Sequence, residues 1–100
     1  MPYRIDYDPE ALRDAAYYGV GVVKRVREAC RKQLANEPTK ETRNRFRAGP
    51  NDLGEYELRV QPYRVYYDVD EAGHRVVVQA VLYKPRETAY RRGQEVSTRE

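Results

Sequence analysis

One hundred residues, 40% hydrophobic and 35% charged, describe one domain with a modest core and a wet surface. A single cysteine, Cys30, excludes an internal disulfide and fits a reducing cytoplasm, and one histidine, His74, without a Cys/His cluster argues against a metal site. No apolar run approaches the ~18 residues of a membrane span, the N-terminus carries no signal-peptide pattern, and a net charge of +3 favours nucleic acid or an acidic protein as partner.

Tyr3 to Tyr7 alternates and predicts a short strand with Tyr3, Ile5 and Tyr7 inward. Asp8-Pro9-Glu10 is a helix start: Asp8 as N-cap, Pro9 in the first turn, Glu10 favourable to the dipole. The helix runs to about Tyr18 with Leu12, Ala15 and Ala16 buried. Gly19-Val20-Gly21 breaks it. A second helix follows to about Asn36, its apolar stripe running through Val22/Val23, Val26, Ala29/Cys30 and Leu34. Lys24, Arg25, Arg27, Arg31 and Lys32 cover its outside, either as a solvated face or as a hold on nucleic-acid backbone. Cys30 lies on the apolar stripe and reads as a small core residue.

Residues 37–54 form a long connection. In it Arg43, Arg45 and Arg47 alternate with Asn44 and Phe46, so an extended chain puts three guanidinium groups on one side and Phe46 on the other. Of the 19 cations only Lys24, Lys32, Lys40 and Lys84 are lysine. Arginine suits phosphate contacts, although a GC-rich genome raises it everywhere. Ten tyrosines supply rings for a core or for stacking on bases.

Glu55 to Tyr83 predicts a three-stranded antiparallel meander. Tyr56, Leu58 and Val60 share one face; Glu55, Glu57 and Arg59 share the other. In the next strand Tyr63, Val65, Tyr67 and Val69 oppose Arg64, Tyr66 and Asp68. A first loop of two or four residues puts Arg59 across from Arg64, and Pro62 favours four. A second loop of Asp70–Gly73 sets Asp68 against Arg75, Tyr66 against Val77 and Arg64 against Gln79, with Val81 and Tyr83 continuing that face. Like charges across a ladder are destabilising. Either Glu57 neutralises the arginine pair internally, or a phosphate does so from outside. Beyond Tyr83 the stretch Lys84–Arg92 is basic, and residues 94–100 are expected to be a mobile tail after a single domain of residues 1–93.

The expected architecture is α+β: a small antiparallel sheet, made of the N-terminal strand and the three-stranded meander, packed against two N-terminal helices. With Tyr-Glu-Leu-Arg-Val, Tyr-Arg-Val-Tyr-Tyr-Asp-Val-Asp and Val-Val-Val-Gln-Ala-Val in that order and a basic end closing on Tyr90, the chain resembles the RelE/ParE superfamily of type II toxin–antitoxin toxins over about residues 3 to 96. The RelE branch implies a ribosome-dependent endoribonuclease in the cytoplasm. It cuts mRNA in the A site through 2′-hydroxyl attack on the adjacent phosphate, with no metal or other cofactor. The resemblance then implies Arg64 on the scissile phosphate, Lys84 or Arg86 stabilising the transition state, Tyr90 stacking or donating a proton, and Glu57 as base. Arg59, Arg43, Arg45, Arg47, Tyr83 and Arg91 would contact RNA. A cognate antitoxin is the implied protein partner, possible in a heterotetramer. Glu55 and Glu57 stand where the best-known members carry lysines, and Tyr83 where many carry histidine. That departure keeps an alternative open: a non-catalytic ParE-like inhibitor of DNA gyrase, or a relic that only binds antitoxin.

Overall fold

In a computed structural model the chain, described over residues 1–96, forms two helices against one seven-stranded sheet. β1 (Arg4–Tyr7), α1 (Pro9–Tyr17) and α2 (Val20–Leu34) come first; β2 (Arg45–Arg47), β3 (Tyr56–Val60), β4 (Tyr63–Asp70), β5 (Arg75–Tyr83), β6 (Ala89–Arg91) and β7 (Gln94–Val96) follow. The α+β architecture is as expected, with three additions. β2 lies inside the long connection, and β6 and β7 form a C-terminal hairpin where only a basic segment and a tail were expected. The first residues of that tail, Gln94–Val96, are thus a paired strand; residues 97–100 lie outside the described residues.

The sheet order is β2-β3-β4-β5-β6-β7, and β1 joins the side of β5 left free by β4. All pairings are antiparallel except one. β1 runs parallel to β5, with Ile5 opposite Val76 and Tyr7 opposite Val78, which corrects the expected all-antiparallel sheet. β5 carries the near-continuous apolar run of a strand buried on both faces. Val76, Val78 and Val81 pack under the helices with Val26, Cys30 and Leu34, while Ala80 and Leu82 pack with Tyr66 and Ala89 on the far face.

Asp8 caps α1 by accepting from the Glu10 N–H at 2.9 Å, and Pro9 occupies its first turn. Its buried side is Ala11, Asp14 and Ala15 rather than Leu12, Ala15 and Ala16; Ala16 is exposed. Gly19, at φ 119°, takes the positive dihedral that lets the chain turn directly into α2. Cys30 is fully buried, and burial pushes its thiol up to about 12. Iodoacetamide at pH 8 is therefore expected to leave the folded protein unmodified and to alkylate this thiol only after denaturation. Rapid labelling of the native protein would place Cys30 outside the core.

The two hairpins depart from the expected loops. Val60 pairs with Tyr63, so the first loop is the two residues Gln61-Pro62, joined by a cis peptide as in a type VI turn, not four. In the second hairpin Asp70, not Asp68, stands opposite Arg75, and Asp68 stands opposite Val77. Tyr66 pairs with Ala80 and Tyr67 with Val78, which leaves Gln79 as the extra residue of a β-bulge. One inserted residue reverses the facing of everything after it. Val81 and Tyr83 therefore turn towards the helices, and Arg64 faces Leu82 rather than Gln79.

Candidate functional site

Arg59 and Arg64 are direct cross-strand partners, as the alternation requires. Of the two neutralising partners open to them, the internal one is taken up. Glu57 lies opposite Tyr66, one step diagonal to Arg64, and its Oε2 accepts from Arg64 Nη1 at 2.8 Å. The two side chains are only 11% and 12% exposed. Arg59 is held differently, with its guanidinium 5.5 Å from the centre of the Phe46 ring. The Nε atoms of both arginines are buried without a hydrogen-bond partner among the described residues.

A lid covers the apolar part of this face. Ala48 and Leu53 of the connection, and Val96 of β7, pack against Tyr66, Ala80, Leu82 and Ala89. Gly54 passes so close to β4 that a Cβ there would stand 3.0 Å from the Tyr67 amide nitrogen. Beside this lid a groove of about 800 Å³ opens between the start of α1 and residues 47–55. Its walls hold Asp8, Glu10, Asp52, Glu55 and Asp68 against Arg47 and Arg91. That balance of charge repels a phosphate backbone.

The other residues singled out from the sequence are spread over different places. Arg45 is buried and structural: its Nε donates to the Lys40 carbonyl at 2.7 Å and its Nη1 to the Gln33 carbonyl, so it ties the connection to the end of α2. Arg47 lies 5.3 Å over the Tyr56 ring. Both point to the helix side, away from Arg59 and Arg64, because they pair with Tyr56 and Leu58. Arg43 is exposed in the turn closed by the Thr42–Arg45 bridge. Arg86 is exposed, and the Lys84 N–H donates to the Pro62 carbonyl at 2.7 Å.

Tyr83 and Tyr90 are cross-strand partners, and Tyr83 also pairs with Tyr63. Their rings, with that of Tyr18 at the end of α1, form a cluster with centroids 5.6 to 6.2 Å apart. Since Tyr63 and Arg64 are adjacent in one strand, this cluster is on the opposite face of the sheet from Arg64. The residues proposed as phosphate holder and base thus sit on one face, and those proposed for stacking and proton transfer on the other.

Asp14 was missed, although an acid three residues from Ala11 on an apolar stripe was a readable signal. Between the stretches of β5 taken by β1 and by β6, the strand edge has no partner strand among the described residues. Asp14, fully buried, fills that gap: its Oδ2 accepts from the Val81 N–H at 3.0 Å. Arg91 Nε donates to both of its oxygens at 2.9 and 3.0 Å, and Arg92 Nε stands 3.1 Å from Oδ1. Arg91 is thus a clamp on α1, not a free RNA contact. Arg92 adds a bond to Glu10 at 2.9 Å, and the Gly93 N–H donates to the Tyr18 hydroxyl at 3.2 Å. Together they hold the C-terminal hairpin to the start and end of α1.

A small sheet with two N-terminal helices across one face and a sealed arginine–glutamate pair under the other defines the class of protein. The same fold is seen in a chain of the toxin–antitoxin complex RelBE2 from Mycobacterium tuberculosis, at 24% identity and a TM-score of 0.69, over 84% of this chain and 100% of that one. No curated protein sequence matches. The family of the ParE toxin of the type II toxin-antitoxin system, parDE, matches residues 5–87, and the chain belongs to it. It is a RelE/ParE superfamily toxin, and its expected protein partner is an antitoxin.

Proposed function

We propose that this toxin acts by binding a protein rather than by cutting RNA, and that DNA gyrase, the target implied by its likeness to ParE toxins, is that protein. One observation carries the reading: Glu57 and Arg64, both nearly buried, neutralise each other at 2.8 Å, while Tyr83 and Tyr90 lie across the sheet. Metal-free phosphoryl transfer needs a proton acceptor, a charge stabiliser and a donor around one phosphate. Here they are separated by a layer of backbone, and the groove beside residues 47–55 is acidic. Protein binding requires no such assembly. The site of action on this reading is the cytoplasm, where the antitoxin neutralises the toxin.

The test has two arms. Purified toxin is expected to inhibit supercoiling by purified gyrase, and primer extension on translated mRNA is expected to show no codon-positioned cuts. Cuts that vanish in Arg64→Ala would sink the proposal in favour of the ribosome-dependent endoribonuclease. One observation favours that second reading: the unpartnered Nε atoms of the cross-strand partners Arg59 and Arg64 leave two donors that an anion would satisfy.

A further inference from the structure

One end of the molecule has a composition unlike the rest. Residues 15–27, 59–67 and 77–86 contain no Asp or Glu, yet they include Lys24, Arg25, Lys84 and Arg86. The fold brings these three stretches together. Arg25 Nη2 donates to the Gln61 carbonyl at 2.6 Å and the Lys84 N–H to the Pro62 carbonyl, while the Tyr18 ring packs on those of Tyr63 and Tyr83.

The same end carries the large apolar side chains that the fold leaves uncovered. Among the described residues only Met1, Tyr17 and Val20 are large, hydrophobic and exposed, and Tyr17 (59%) and Val20 (78%) flank the turn between α1 and α2. Gly19 and Gly21 have open space around them, and no side chain caps α2, whose first turn keeps free N–H donors. The hydroxyls of Tyr63, Tyr83 and Tyr90 meet no partner among the described residues. The surface therefore offers apolar anchors beside donors, on stretches that themselves supply no carboxylate.

We infer that this tyrosine-lined, acid-poor end docks the toxin's target, through a segment of that protein carrying carboxylates beside an apolar anchor. The inference rests on the protein-binding reading above. A toxin that acts without chemistry needs its affinity in a few surface aromatic and apolar residues, and binding energy concentrates in such anchors. Charge complementarity selects an acidic partner. A nucleic acid fits less well, because the Tyr18, Tyr63 and Tyr83 rings lean on one another at 38° to 52° and occupy the faces on which bases would stack.

The test is the double variant Tyr17→Ser/Val20→Ser, whose positions are exposed, so the thermal midpoint should stay at the wild-type value. Growth arrest on expression is expected to fall at least tenfold at equal protein level, with binding to the co-expressed antitoxin unchanged. Undiminished growth arrest overturns the inference. So does loss of antitoxin binding together with toxicity, which would make this end the antitoxin's seat. So does a single-stranded RNA oligonucleotide that binds wild type and not the variant. The gyrase arm is separate: if arrest depends on Tyr17 and Val20 while purified gyrase is not inhibited, the docking end stands and gyrase as the target falls. Should the variant lose its fold, Lys84→Glu/Arg25→Glu replaces it, with the same readouts.

Discussion

Glu57→Ala is expected to cost about 3–5 kcal/mol of stability, because it leaves the nearly buried Arg64 guanidinium with no counter-charge. Arg64→Ala strands Glu57 in the same way and should cost a similar amount. Replacing both at once, in Glu57→Leu/Arg64→Met, removes two desolvation penalties together with one ion pair. The expected result is stability unchanged or raised, since apolar side chains of similar size often do better than a buried pair. The unpartnered Arg64 Nε strengthens the expectation, as the arginine is not fully satisfied even in the native pair. Urea unfolding of the wild type and the three variants, read at constant slope, measures these differences. The double variant should also arrest growth as wild type does. A double variant that is stable yet harmless would mean that the pair does chemistry, and the protein-binding reading would fail.

Asp14→Ala should be the second severe change, at about 2–4 kcal/mol. The carboxylate is fully buried, and its loss leaves the Val81 N–H without an acceptor at the gap in the β5 edge. The two arginines it gathers are 26% and 35% exposed at their side chains, so water can recover part of the cost, and the figure is set below that for Glu57. In a chain of this size the loss corresponds to a fall of roughly 10 °C or more in thermal midpoint. The damage should also be local. Amide exchange in β6 and β7 should accelerate more than in β3 and β4, because Asp14 is what fastens the C-terminal hairpin to α1. Uniform acceleration across the sheet would show that the contact serves the whole core instead.

Both changes expose what was and was not readable in advance. The Arg59/Arg64 juxtaposition followed from strand alternation alone, since a loop of either two or four residues preserves it. Asp8 and Pro9 marked the start of α1, and the stripe through Val26, Cys30 and Leu34 marked the inner face of α2. These are properties of consecutive residues, so local spacing carries them. The expectation that Tyr83 and Tyr90 would join Arg64 failed at a single residue. Nothing in Val-Val-Val-Gln-Ala-Val announces that Gln79 bulges, yet the bulge reverses the face of Val81 and Tyr83.

What the order of amino acids determined by itself was the two helices, β1 and the three strands of the meander, the pairing of the two arginines and the family resemblance. The tertiary structure alone decided which faces are covered: β1 reaching β5 in parallel, the connection folding over Tyr66 and Leu82, and Asp14 plugging a strand edge sixty-seven residues away in the chain. The reason is that alternation and helical period report on neighbours, whereas burial and charge compensation come from segments far apart that meet only once the sheet has formed.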